Sequence, residues 1–230
     1  MLLPRNIWFL LAFALAVGLT PPAAGQTQSP ADSKAAESQA QATPPAAQAL
    51  APRREGEDMV MGAPTAPVTL IEYASLTCPH CAHFDEETFP KLKSEYIDRG
   101  LVKYVYRDFP LDRVALQASK IARCAGPDRY FAFVDVLFRQ QQNWAASRDP
   151  NQITENLRKL ARLGGMSDDT FNKCLNDKSV EDAVLAQSLK GEQEFKVSST
   201  PTLIINGKTY PGALTFEELD KVLKPLVGKS

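Results

Sequence analysis

The chain is poor in histidine, in charge of one sign and in long apolar runs. Its only histidines are His80 and His83, and two of its four cysteines, Cys124 and Cys174, stand alone. A structural zinc draws on two closely spaced cysteine pairs or on a Cys2His2 set, so four ligands cannot be assembled here and no bound metal is expected. A copper carrier would want a wider cysteine spacing and a distant histidine, and neither is present. Basic and acidic residues number 26 and 27, a net charge of -1. A field that small calls for neither nucleic acid nor an anionic membrane as partner.

The apolar run near the start extends only from Ile7 to Leu19, short of the roughly 18 residues that a membrane span needs. One base, Arg5, precedes it, and "TPPAAGQ" follows with the small residues Ala23 and Gly25. That is the pattern of an export signal, so residues 1–25 are expected to be a signal peptide removed by signal peptidase, with a retained anchor as the rival. No cysteine follows the run to take a lipid, and no twin arginine precedes it. The expected product is soluble and exported. Residues 26–57 lack aromatics and are rich in Ala, Gln, Pro and Ser; they cannot bury enough apolar surface to offset ordering entropy and read as a disordered linker. Residues 58–230 remain as one domain with its own core, and nothing in them repeats at a fixed period.

Within that domain "APVTLIEYA" (66–74) reads as a central strand with one anomalous charge, Glu72. After "TCPHC" a helix is expected with Phe84, Phe89, Leu92 and Tyr96 inward, kinked at Pro90 and ended by Gly100. "LVKYVYRDFPL" has the composition of a second strand, parallel to the first across a βαβ unit. From about 112 to 197 the period is helical throughout, with stops at Gly126-Pro127 and Gly164-Gly165. Ser167 is read as a cap, and "SVED" (179–182) as a capping box. "TPTLIINGKTYPG" then reads as a hairpin turning at Asn206-Gly207, and Thr215 with Glu218 opens a last helix. The order is β-α-β, an all-helical insertion, a β-hairpin and a helix, an α/β protein.

The chemistry lies in "SLTCPHCAHF". A strand runs into the motif and a helix runs out, so Cys78 falls at a helix N-terminus, where unpaired N–H groups and the helix dipole stabilise an anion. The thiolate is the reactive form, which makes Cys78 the expected nucleophile. Cys81, one turn further in, is the expected buried partner. Pro79 stiffens the first turn, and the ring of His80 is placed to stabilise the thiolate. A thiolate favoured in the reduced protein makes the disulfide more oxidising. Cys124 and Cys174 lie on apolar helix faces and read either as reduced core cysteines or, in an oxidising compartment, as a structural disulfide.

"GAPTAPVTLIEYASLTCPHCAHF" together with "SSTPTLIINGK" resembles the DsbA-like thiol-disulfide oxidoreductases, from about Met59 to the end of the chain. The resemblance implies a thioredoxin fold and a redox-active Cys78-Cys81 pair with no other cofactor. It implies a cis-proline at Pro201, preceded by Thr200, facing the site where substrate binds. Glu72 becomes a buried acid serving Cys81, with Lys103 as its expected partner. The function implied is the introduction of disulfides into unfolded exported proteins with free cysteines, in the periplasm, with reoxidation by a membrane quinone-linked partner of the DsbB type. Threonine before the cis-proline departs from the valine of many DsbA oxidases and keeps isomerase and reductase activities in view. Isomerases of the DsbC kind dimerise through a folded N-terminal module, which residues 26–57 are too polar to form, so a monomer is expected.

Overall fold

The computed structural model describes residues 52–228 apart from Gly56. The signal-peptide reading, and the linker reading up to residue 51, lie outside the described residues. Strands β1 (Arg53–Glu55), β2 (Asp58–Met61), β3 (Val68–Ala74) and β4 (Val102–Asp108) are joined later in the chain by β5 (Thr202–Ile205) and β6 (Lys208–Pro211). Together they form one sheet in the order β1-β2-β4-β3-β5-β6. Only β3 and β4 run parallel; every other neighbouring pair is antiparallel. The expected β-α-β unit and terminal hairpin are therefore present. Strand β1 corrects the linker boundary at 57: "RRE" has no apolar alternation to betray it, and backbone pairing to β2 holds it at the sheet edge.

Between β3 and β4 run α1 (Pro79–His83), a π turn (Phe84–Thr88), α2 (Phe89–Leu92) and a second π turn (Lys93–Ile97). The bend expected at Pro90 takes this form: proline has no N–H to continue the ladder, and wide turns stand on both sides of its short α segment. Gly100, at φ 72, ends the rod. The insert comprises α3 (Arg113–Cys124), α4 (Pro127–Arg139), α5 (Gln141–Trp144), α6 (Pro150–Leu163), α7 (Asp168–Asn176) and α8 (Lys178–Phe195). A final helix, α9 (Phe216–Val227), opens with the Thr215–Glu218 capping box. Ser167 caps α7 as expected. The box read at 179–182 is corrected: Asp177 is the N-cap of α8, accepting the N–H groups of Ser179 at 2.8 Å and Val180 at 3.3 Å. The Ser179 hydroxyl donates to that same carboxylate, so the aspartate does the capping.

Alternation along β3 and β4 sorts the core. Leu70 and Ala74 join Tyr104, Tyr106 and the faces of α3, α4 and α9 in the larger cluster. Tyr73, Phe109, Val197 and Ile204 make a smaller one on the opposite face. There α8 comes so close that a Cβ on Gly191 would lie 2.6 Å from the Tyr73 ring.

Buried polar groups tie insert to sheet. Arg123 of α3 donates to Asp108 at 2.7 Å and to Gln187 of α8 at 2.6 Å, and Gln187 passes on to the Glu57 carbonyl at 2.8 Å. Arg107 forks onto Asp58 at 2.8 and 2.9 Å. Cys124 and Cys174 are joined in a disulfide from the end of α3 to α7, with a Cα separation of 6.2 Å.

Candidate active site

Cys78 ends the loop leaving β3 and is the N-cap of α1, in extended backbone at φ -80 and ψ 118, with Pro79 in the first turn. Its carbonyl accepts the N–H groups of Cys81 at 3.1 Å and Ala82 at 3.2 Å, while its own N–H donates to Ser75 at 3.0 Å. The insert supports the turn from outside: Gln141 of α5 donates to the carbonyls of Leu76 at 3.0 Å and Cys78 at 3.1 Å. Both thiols are free, with Cys78 6% exposed and Cys81 fully buried.

The Cys78 thiol donates to the Thr200 carbonyl at 3.2 Å, and the Thr200–Pro201 bond is cis. Strand β5 begins immediately afterwards, so its pairing with β3 carries Thr200 to the sulfur.

A hydrogen bond from Cys81 is the largest cause lowering the Cys78 thiol from 9.0 to about 5. Burial opposes it, and Thr200 and the backbone N–H groups of Cys81 and His80 add to it. The Thr200 hydroxyl, which has no other hydrogen-bond partner, is the donor released to an ionised sulfur. His80 thus acts through its backbone N–H, while its ring and Pro79 are exposed on the first turn. Cys81 is pushed the other way, mainly by burial, then by its hydrogen bond to Cys78 and by the charge of Glu72.

Glu72 is buried at 2% exposure and acts electrostatically on both Cys78 and Cys81. Burial pushes its carboxyl up to about 8, against the lowering effect of a hydrogen bond from Tyr104. That bond, from the Tyr104 hydroxyl to Oε2, measures 2.5 Å. The expected partner was Lys103, and here the structure corrects the sequence. The parallel register sets Glu72 against Tyr106 and Thr69 against Lys103, so the two-residue period turns Lys103 to the opposite face of β4. Asp85, in the first π turn, is pushed up to about 7 by burial and then by Asp135. Its charge raises Glu72 further. Sequence reasoning missed Tyr104, Asp85 and Gln141, while Phe84, expected to face inward, is core at 1% exposure. Among the described residues no group of three or more His, Cys, Asp or Glu is placed to hold a metal ion.

Residues 54–225 match the family described as thioredoxin. α-DsbA1 of Wolbachia pipientis, a solved structure, is similar at 30% identity and a TM-score of 0.70, covering 77% of this chain and 94% of that one. The chain belongs to the thioredoxin family, in its DsbA-like branch. Among curated proteins, a Rickettsia bellii sequence named "Putative protein-disulfide oxidoreductase" is 35% identical over 151 residues, 65% of this chain and 57% of that protein. This DsbA-like chain thus spans little more than half the length of that relative. Disulfide bond formation protein D of Bacillus subtilis is 26% identical over 179 residues, 74% of this chain and 78% of that one.

Proposed function

We propose that this chain introduces disulfide bonds into exported proteins in the periplasm by dithiol-disulfide exchange through Cys78 and Cys81. The observation that carries the reading is the placement of Cys78: its sulfur sits at a helix start among N–H donors, against the residue before a cis-proline, over a fully buried second thiol.

In the proposed cycle a substrate thiolate attacks Sγ of Cys78 in the oxidised pair. The Cys78–Cys81 bond breaks, a mixed disulfide forms at Cys78, and Cys81 departs with the electron pair. A thiolate in that dry position is costly, and the protonated Glu72 carboxyl, electrostatically coupled to Cys81, is the proton source. The substrate's second thiolate then attacks its own partner sulfur in the mixed disulfide and expels Cys78 as a thiolate, the form its surroundings favour. The substrate leaves oxidised and the protein leaves reduced. A membrane quinone-linked partner of the DsbB type is the proposed reoxidant, and unfolded exported proteins with free cysteines are the proposed substrates. Pro201 and Thr200 are proposed to line the substrate side, and Cys124–Cys174 to brace the insert.

The test is oxidation of a dithiol peptide by the oxidised chain. Cys78→Ser is expected to abolish it. Cys81→Ser, given the same peptide in its disulfide form, is expected to accumulate a mixed disulfide as the Cys78 thiolate attacks one peptide sulfur and releases the other as a thiolate, visible as a mass increase equal to the bound peptide. Full activity of Cys78→Ser would remove the assignment.

A further inference from the structure

The insert meets the active-site turn along a pocket of about 250 Å³ lined in part by Thr77, Pro79, Asp112, Val114, Gln142 and Ile153. Thr77 and Pro79 flank Cys78 in the chain, and Gln141, on the same wall, holds the Cys78 carbonyl. The pocket therefore lies beside the nucleophile, on ground contributed jointly by the redox turn and the insert. Part of its wall is apolar, with Val114 half-buried and Ile153 at 4% exposure.

Asp112 is the only charged residue among those lining it. Its carboxylate is fixed by two neutral donors: the Ala115 N–H reaches Oδ1 at 2.7 Å, and the Thr77 hydroxyl reaches Oδ2 at 2.7 Å. Neither neutralises it. Arg113, next in the chain to Asp112, and Arg148, next to the lining residue Ser147, are exposed and are not part of the lining. An anchored carboxylate at the rim of a partly apolar recess suits a long basic side chain, whose methylene stem can be buried while its charged head stays polar.

We infer that this pocket is a subsite for a lysine or arginine side chain adjacent to the reacting cysteine of the substrate, with the stem against Val114 and Ile153 and the cation at Asp112. The inference rests on the thiol-disulfide exchange reading and adds to it a preference among substrates. A glutamate in the same position meets Asp112 as a like charge and is disfavoured.

The experiment uses three dithiol peptides identical except for Lys, Gln or Glu beside the attacking cysteine, with oxidation by the full oxidised chain followed as a rate. The wild type is expected to favour Lys over Glu by about fivefold, the scale that an ion pair open to solvent supports. Gln should fall between them, and added salt should shrink the ratio. Asp112→Asn keeps a side chain that caps α3 equally well and is expected to bring the Lys-to-Glu ratio close to that seen with a small-molecule disulfide oxidant. Gln142→Glu, which adds a charge to the same wall, is expected to raise the ratio. Equal rates for all three peptides in the wild type would overturn the subsite while leaving the oxidase reading standing. A lysine preference that survives Asp112→Asn unchanged would belong to the peptide thiol and would also overturn it. Failure to oxidise any peptide would overturn the parent reading, and the subsite with it.

Discussion

At the scale of single residues, the thiols of Cys78 and Cys81 and the carboxyl of Glu72 share one buried neighbourhood, and their protonation is set by burial and by one another. In the reduced protein Cys78 titrates near 5 when folded, against 9.0 ordinarily. Its lowered value means that the unfolded chain binds the extra proton between those limits, so folding stability rises with pH from about 5 to 9 and is lost as pH falls through 5. Glu72 behaves oppositely. Its carboxyl titrates near 8 rather than 4.5, so the folded state holds the proton and stability declines as pH climbs between those values. The oxidised protein lacks the Cys78 titration and keeps that of Glu72. Denaturant melts of both redox forms across pH 5 to 9 should therefore show the reduced form gaining on the oxidised one as pH rises; parallel curves would contradict the thiolate account. Glu72→Gln should flatten the decline of the oxidised form and slow the step in which Cys81 changes protonation. An unchanged pH-rate profile would take Glu72 out of the mechanism.

At the scale of elements, much of the site was legible because the governing chemistry is local. Cys78 falls where a strand hands over to a helix, and Asn206-Gly207, with φ of 45 and 83, makes the tight hairpin turn its residue types require. What the sequence hid depends on contacts far apart in the chain. Tyr104 reaches Glu72 across 32 positions, and Gln141 reaches the Cys78 carbonyl across 63. Neither residue type announces such a partner, and the choice between Lys103 and Tyr104 was a question of which face of β4 each occupies. Strand β1 was hidden for another reason: its residues are polar, and it is held by backbone pairing to β2 and by the Arg53 guanidinium donating to the Gly62 carbonyl at 2.7 Å. The buried link between Arg123 and Asp108 is likewise invisible in sequence, yet it joins α3 to the end of β4. Arg123→Leu should cost about 3–5 kcal/mol in denaturant unfolding, because it leaves Asp108 buried and uncompensated. A loss below about 1 kcal/mol would be the size of an exposed pair and would contradict this.

At the scale of the whole molecule, the sheet supplies Glu72, Tyr104 and the cis-proline strand, while the insert supplies Gln141 and the wall facing Pro79. The dithiol stands where the two meet. Holding the insert in shape thus bears on the site, and the Cys124–Cys174 bridge closes a loop of 50 residues within it. Replacing both cysteines by alanine should cost about 4 kcal/mol if loop entropy governs the effect. The loss should appear in thermal or denaturant unfolding, and stability matching the parent would assign the bridge no bracing role.

The central claim is that the surroundings of Cys78 favour its thiolate and so make the disulfide form a donor. The most direct measurement is the reduction potential of the Cys78–Cys81 pair, equilibrated against glutathione buffers, with mass mapping used to keep Cys124 and Cys174 out of the signal. The scale runs from roughly -120 mV for the strong oxidants of this family to roughly -270 mV for thioredoxin-type reductants, with about 30 mV per tenfold in equilibrium. A value toward the oxidising end is the expected result. A value near the reducing end would contradict the account and make the chain a protein that must receive electrons in order to reduce or reshuffle the disulfides of others.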